Sequence, residues 1–155
     1  MKIEKIPNYH ASVSITKHIP ICIFMSADFR SDDPILKKFD KRFELRRKFK
    51  DRYRYYHDLY FFDSRNGDCL EIKHDGVHVF GLAYHGEAGL DPSDDEIRGA
   101  FIQLKKYILR EKIKEVQLSL DGIAKFCDYM EVLDFIFDLF NLTDTTFYIT
   151  GGKHD

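Results

Sequence analysis

Apolar residues along this chain follow two spacings, and each spacing predicts one kind of element. Short segments that are apolar throughout, or at alternate positions, are typical of β-strands. The segment from Pro20 to Met25 is nearly all apolar, as expected for a strand that is buried on both faces. Residues 1–10 are mixed, and we expect them to pair at a sheet edge or to be partly loose. The predicted strands cover residues 12–15, 20–25, 59–63, 68–73, 77–84, 116–120 and 145–150.

Apolar residues three and four positions apart predict the first helix, which also carries most of the basic residues. Asp33 can cap its N-terminus, Pro34 fits the first helical position, and Ile35 begins the apolar stripe. The Lys and Arg residues fall mainly between the apolar positions, on the side that faces water. The stripe continues through Leu36, Phe39, Phe43, Leu45 and Phe49.

Two further helices have equally clear starts. Ser93 and Glu96 have the spacing of a capping box, which opens the second helix. Asp128 precedes the third, an aromatic-rich helix that runs through Phe140. The residues predicted to face inward are Ile97, Ala100, Phe101, Leu104 and Ile108 in the second helix, and Val132, Phe135, Ile136 and Leu139 in the third.

The order of these elements predicts an α/β fold. His74-Asp75-Gly76 is a hairpin turn, because Asp-Gly supplies the positive φ that a tight hairpin needs. Helices separate the later strands, which implies parallel crossovers and a sheet covered on both faces. We therefore predict a three-layer α/β/α sandwich with a mixed sheet. Residues 1–150 are expected to form a single domain, followed by a tail at 151–155.

The composition is that of a soluble globular protein, but its charge is unevenly distributed. The chain has 155 residues, of which 44% are hydrophobic and 32% charged, with a net charge of −2. Between Lys37 and Arg54, ten Lys and Arg stand against three Asp and Glu, a local charge of +7. The remainder of the chain therefore carries a net charge of −9. A basic segment lies inside an acidic body.

Cysteine usage and hydropathy indicate an intracellular protein, nuclear or cytoplasmic. Cys22, Cys69 and Cys127 are widely spaced and form no CxxC pair, which favours a reducing compartment over a disulfide framework. The longest apolar run, from Ile19 to Met25, is too short to cross a bilayer. No cofactor or membrane association is expected. No metal site is expected either, because His74 and His78, four residues apart, make a weak metal signal without a third ligand.

Four stretches, in order along most of the chain, carry a family resemblance. They are residues 26–30 with 39–43, residues 74–80, residues 96–109, and residues 118–120 with 123–128. From about Ile19 to Tyr148 the chain resembles a macro domain, most closely the branch of the terminal ADP-ribose protein glycohydrolase. The resemblance implies a domain that binds ADP-ribose and that, in some members, removes it from modified proteins.

The resemblance also implies where a ligand site lies and what has changed in it. The catalytic aspartate of that branch falls on Asp128, and its lysine falls on or next to His85, where no primary amine exists. An imidazole cannot form the imine that a lysine provides. The Gly-Asp pair that holds the adenine corresponds to His10-Ala11 and is absent. The implied ligand-binding positions are Asp28, Arg30, Gly122, Ile123, Lys125 and Phe126.

In both glycine-rich ligand loops of the family, this chain has residues with side chains in place of the glycines. Gly67 is the first glycine of the chain, and residues 32–34 read Asp-Asp-Pro where the family has Gly-x-Gly. Two carboxylates repel a diphosphate and also satisfy the helix N–H groups that a phosphate would use. At the second loop, Phe126 crowds the approach to the backbone, and the flexible ammonium of Lys125 does not replace a preformed backbone nest.

Each candidate residue also has a structural interpretation. Asp128 is explained as an N-cap without any chemistry, and His85 as a solvated loop histidine. The basic segment is either a solvated helix face, a protein interface or a nucleic-acid contact, in that order of preference, since Arg and Tyr suit all three. Its candidate contact residues are Arg46, Arg47, Lys50, Arg52 and Arg54.

Three functional hypotheses follow. The first is a degenerate macro domain, a pseudoenzyme that binds a protein partner and has weakened or lost ADP-ribose binding. The second is an active hydrolase that removes ADP-ribose from proteins, with Asp128 central and His85 or Lys125 assisting. The third is nucleic-acid binding through the basic segment at residues 37–54.

Overall fold

The computed structural model describes residues 1–6, 19–26, 44–53, 67–74, 76–85 and 91–151. These residues form one six-stranded sheet and three helices. The strands are β1 (Lys2–Lys5), β2 (Ile21–Ser26), β3 (Asp68–His74), β4 (Val77–His85), β5 (Glu115–Ser119) and β6 (Thr146–Thr150). The helices are α1 (Leu45–Arg52), α2 (Asp94–Glu111) and α3 (Tyr129–Phe140).

The sheet is mixed, as predicted. Its strand order is β1-β6-β5-β2-β4-β3. Every neighbouring pair is parallel except β3 and β4, which form an antiparallel hairpin. Gly76 closes that hairpin with a φ of 80°, a left-handed conformation that favours glycine. The first strand pairs with β6 at the sheet edge, which confirms the expected pairing for residues 2–5, while residues 7–10 lie outside the described residues.

The two faces of the sheet pack against different helices. Side chains of alternate residues, such as Phe24 on β2 and Leu82 on β4, point towards α2 and α3 and join them in one core. On that side the rings of Phe24 and Phe101 meet edge to face, 5.7 Å apart. On the other face, Phe49 of α1 lies over Gly81, where a Cβ would stand 3.1 Å from its ring. Helices therefore cover both faces, and the predicted three-layer sandwich is confirmed.

The start of α2 has the predicted capping box. The Glu96 amide donates to Ser93 Oγ at 3.1 Å, and the Ser93 amide donates to Glu96 Oε1 at 3.1 Å. These reciprocal bonds satisfy two backbone donors that the first helical turn leaves without intrahelical partners. All five residues predicted to face inward from this helix are buried. In α3, Val132, Phe135 and Ile136 are buried, and Leu139 is partly buried against the same core.

The prediction of one uninterrupted helix through the basic segment is wrong. Glu44 adopts a left-handed conformation, with φ 53° and ψ 45°, and α1 begins only at Leu45. Such a residue cannot lie inside a right-handed helix. The apolar spacing changes at the same place, since Phe43 and Leu45 are two residues apart. Leu45 and Phe49 are buried, as predicted.

Several predictions fall outside the described residues. They include the strands at 12–15 and 59–63, the helix start at Asp33, the first ligand loop at 32–34 and the His10-Ala11 position. Among the residues described here, no helix has both the length and the apolar character needed to cross a bilayer.

Candidate functional site

Five strands run parallel, so their carboxyl ends lie at the same edge of the sheet. Four of them, β2, β4, β5 and β6, end at Ser26, His85, Ser119 and Thr150. In open α/β sheets, ligands bind at this edge, between neighbouring strand ends. Ser26 is fully buried and pairs in register with the partly buried His85. The register shifts between Met25 and Ser26, so the end of β2 is locally irregular.

The loop after β5, from Leu120 to Asp128, carries the second group of predicted ligand residues. The Leu120 amide donates to the Thr150 carbonyl at 2.9 Å, so the loop leaves the sheet only after this point. The amides of Ile123 and Ala124 then donate to the Leu120 carbonyl, at 3.1 and 2.9 Å. Ile123 is fully buried and anchors the loop in the core.

A second turn follows directly. The amides of Phe126 and Cys127 donate to the Ile123 carbonyl at 2.9 and 3.0 Å. Four backbone N–H groups of this loop therefore donate to carbonyls within the loop. An anion-binding loop works in the opposite way, because its N–H groups point outward at the ligand.

Phe126 and Cys127 pack back onto the protein. The ring of Phe126 lies 5.9 Å from that of Tyr84, the residue before His85 on β4. Cys127 is buried, with its sulfur 3.6 Å from Glu131 Oε2. Burial, and secondarily Glu131, raises the pKa of the Cys127 thiol to about 12. The sulfur is therefore a neutral thiol at physiological pH and not an activated nucleophile.

Asp128 caps α3. Its Oδ1 accepts a hydrogen bond from the Glu131 amide at 2.9 Å, and its backbone is extended. The structural interpretation of this residue is therefore confirmed. Its predicted catalytic role stays a prediction, as does that of His85. The side chain of Asp128 is exposed beside the loop.

Sequence reasoning missed a contact between the ends of β5 and β6. Gly151 follows β6 with a φ of 75°, and a Cβ there would collide with the carboxylate of Asp121. The Asp121 amide also lies 3.4 Å from Ser119 Oγ, a long hydrogen bond. Only glycine at 151 lets this carboxylate lie against the backbone. The available signal was a glycine directly after a predicted strand.

The structure brings part of the predicted site together. Four of its predicted ligand residues lie on the loop after β5, and the Tyr84–Phe126 contact places this loop beside the end of β4. Lys125 is exposed. Asp28 and Arg30 lie outside the described residues. The four on the loop are Gly122, Ile123, Lys125 and Phe126.

The basic residues of α1 lie on the other face of the sheet, and two of them already have acidic partners. Arg47 contacts Glu44 at 2.6 Å and Asp51 at 3.8 Å. Arg52 lies 3.8 Å from the largely buried carboxylate of Glu71 and over the ring of Tyr53. Glu44 and Asp51 are already counted in the local charge of +7, so Glu71 is the one partner here that comes from outside the basic segment. Arg46 and Lys48 are partly buried, Lys50 is exposed, and Arg54 lies outside the described residues.

His78 forms an ion pair or hydrogen bond within the sheet. Its Nδ1 lies 2.6 Å from Glu71 Oε2, and its ring stacks on Phe80. Within the described ranges, no three His, Cys, Asp or Glu side chains are grouped closely enough to hold a metal ion.

Comparison with solved structures identifies the fold. The macrodomain of Thermus aquaticus DarG superposes with a TM-score of 0.71 at 10% identity, covering 96% of this chain and 97% of that one. The macrodomain of Mycobacterium tuberculosis DarG gives a TM-score of 0.70 at 14% identity, covering 97% and 98%. The chain has the macrodomain fold. A macrodomain protein from Streptomyces coelicolor agrees, with a TM-score of 0.67 at 14% identity and coverage of 98% and 100%.

Sequence comparison alone does not reach this result. No protein-family model matches the chain, and no curated protein matches it in sequence. The likeness to macrodomains is thus in the arrangement of strands and helices, which confirms the resemblance inferred from the order of the four stretches. At identities of 10–14%, the comparisons establish the fold alone. The ligand chemistry has to be argued from the residues of this chain.

Proposed function

We propose that this macrodomain is an ADP-ribose-related binding module that has weakened or lost its ligand and acts through a protein partner, without hydrolase activity. The observation that carries the proposal is the loop between Leu120 and Asp128. Four of its backbone N–H groups donate to carbonyls inside the loop. A diphosphate bound there has to compete with these bonds for the same donors.

Side chains around the loop support the same conclusion. Phe126 packs onto Tyr84 and holds the second turn against the core. Opening the loop towards a ligand disrupts this contact, which adds to the cost of freeing the amides. Lys125 supplies one flexible positive charge, which offers less than a preformed nest of N–H groups.

The proposed absence of hydrolase activity rests on two positions. The Asp128 carboxylate already accepts the bond that caps α3. At the end of β4, His85 stands where the resemblance places a lysine, and an imidazole cannot supply the imine chemistry of an amine. Asp128 therefore has a structural role that needs no substrate. His85 is the partly buried last residue of β4, so its interpretation as a solvated loop histidine is wrong.

Calorimetric titration with ADP-ribose tests the binding part of the proposal. We expect a dissociation constant weaker than about 10 μM, which corresponds to roughly −7 kcal/mol. Tighter binding overturns the proposal. Titration with ADP and with ribose 5-phosphate serves as the control, because a nonspecific basic surface does not distinguish these ligands from ADP-ribose.

Asp128→Asn tests the catalytic part. Asparagine is as good an N-cap as aspartate, so this variant keeps the fold while removing the carboxylate. We expect neither the wild type nor the variant to release ADP-ribose from a modified protein. Release by the wild type that is lost in Asp128→Asn, with unchanged melting, establishes the hydrolase hypothesis instead.

A further inference from the structure

Part of the acidic charge of this protein lies in a segment that has no basic residues. Residues 126–152 contain five Asp and Glu and no Lys or Arg. Most of this segment forms α3 and the turn after it. The helix packs through Val132, Phe135, Ile136 and Phe140 into the core, and its carboxylates are exposed.

Large apolar side chains are exposed among these carboxylates. Met130 is 63% exposed and Phe137 51% exposed, and both share a stripe of α3 with the exposed Asp134 at helical spacing. Leu142, just after the helix, is 96% exposed. Exposed apolar residues that cluster on one face, rimmed by polar ones, mark interaction surfaces.

A groove between α2 and α3 borders this stripe. Its volume is about 470 Å³. Arg98 of α2 pairs with Asp138 and lies 5.3 Å from the centre of the Phe135 ring. It is the one cation among the lining residues, which carry four carboxylates. The lining residues are Asp94, Arg98, Glu131, Asp134, Phe135 and Asp138.

We propose that this acidic face, formed by the groove together with Met130 and Phe137, docks an amphipathic helix of a partner protein. This partner helix combines large apolar side chains with Lys or Arg. Apolar contacts cover Phe137 and Met130, while basic residues balance the carboxylates of the groove. The same negative charge repels nucleic acid and anionic lipid.

A second copy of this chain fits the acidic face less well than such a partner. The basic surface of α1 offers positive charge, but Arg47 and Arg52 already pair with acidic residues of their own chain. The large apolar residues of α1, Leu45 and Phe49, are buried against its own sheet. Helix α1 therefore has no apolar side chain to cover Phe137.

Two synthetic peptides test the proposal. One is an amphipathic helix of Leu and Lys of about 18 residues, and the other has the same composition in an order that breaks the apolar stripe. We expect the amphipathic peptide to bind the full chain at least tenfold more tightly in calorimetry at 0.15 M salt. Equal binding of the two peptides overturns the proposal, because it shows that affinity depends on the net charge of the peptide and not on its apolar stripe.

Variants locate the contact. Phe137→Ser and Asp134→Lys are each expected to weaken binding of the amphipathic peptide at least fivefold. The matched control is Leu109→Ser on α2, which removes an apolar side chain that is 60% exposed away from the groove. We expect this control to change affinity less than twofold. Equal losses in Phe137→Ser and Leu109→Ser contradict the proposal.

Analytical ultracentrifugation of the protein alone tests whether a second copy of this chain covers the acidic face. We expect a concentration-independent monomer for the wild type and for Phe137→Ser. Self-association that disappears in Phe137→Ser shows that a second copy covers the acidic face, and it overturns the assignment to a partner helix. Both readouts are independent of ADP-ribose, so the proposed loss of that ligand stands or fails separately.

Discussion

Helices α1 and α3 cover opposite faces of the same sheet and carry opposite charge. The sequence of α1 is strongly basic, but the structure pairs Arg47 and Arg52 with carboxylates of their own chain. The carboxylates of α3 surround a groove in which Arg98 is the only lining cation. A sequence charge count does not show which charges are paired, and it does not show that Asp94 of α2 and the carboxylates of α3 share one groove.

The two helices also differ in how they are attached. Helix α1 has eight residues, two of them buried, and its C-cap residue Tyr53 bonds to the sheet edge. Helix α3 has twelve residues, four of them buried, and a side-chain cap. A short helix with few anchors depends heavily on each one, whereas a wide apolar face spreads the stabilisation.

The largest effect is expected from Phe49→Ala. Phe49 is fully buried over Gly81, so truncation leaves a cavity and detaches α1 from the sheet. We expect the free energy of unfolding to fall by about 3–5 kcal/mol, measured by chemical denaturation. The matched control is Phe137→Ala on α3, whose ring is half exposed. A similar loss in both variants contradicts the assigned burial of the two faces.

Much of this architecture could be predicted from the sequence. The capping box of α2 and the Asp-Gly hairpin are local signals, and each determines its own geometry. The left-handed conformation of Glu44 was missed even though Phe43 and Leu45 are too close for one helix stripe. That spacing was visible, but the density of basic residues on both sides favoured a single helix.

The candidate site was less predictable, because it depends on contacts between distant residues. Gly151 and Asp121 are thirty residues apart and meet only because β5 and β6 are neighbours. Tertiary pairing determines this contact, and apolar periodicity does not report it. The hydrogen bonds of the loop near Phe126 are local turns that span three or four residues, but apolar periodicity does not report these either.

Tyr53→Phe tests the second anchor of α1. The Tyr53 hydroxyl accepts from the Glu71 amide at 2.9 Å and donates to the Glu71 carbonyl at 3.0 Å. Phenylalanine leaves both groups on strand β3 without this partner, and we expect a loss of about 1–2 kcal/mol in denaturation. Tyr148→Phe is the control, because its hydroxyl meets the exposed Glu115 carboxylate and its loss is expected to be smaller. Equal effects contradict the anchoring role.

Asp128→Ala tests how α3 begins. Alanine removes the acceptor for the Glu131 amide, and the expected loss is about 1 kcal/mol by thermal or chemical denaturation. Asp128→Asn keeps an acceptor and is expected to match the wild type within a few tenths of a kcal/mol. If Asn is as destabilising as Ala, the contribution of Asp128 is its charge near the helix N-terminus and not the cap.

The smallest effects compare two paired arginines on opposite faces. Arg47→Ala on α1 removes exposed ion pairs with Glu44 and Asp51, and we expect no measurable change in the denaturation midpoint. Arg98→Ala removes a cation that lies over the Phe135 ring and leaves four carboxylates unbalanced in the groove. An expected loss of about 0.5–1 kcal/mol at low salt follows from the lost ring contact and the added repulsion. High salt screens that repulsion, so part of the loss should be recovered in 1 M sodium chloride. A loss in Arg47→Ala that equals or exceeds the loss in Arg98→Ala contradicts the contrast between the two faces.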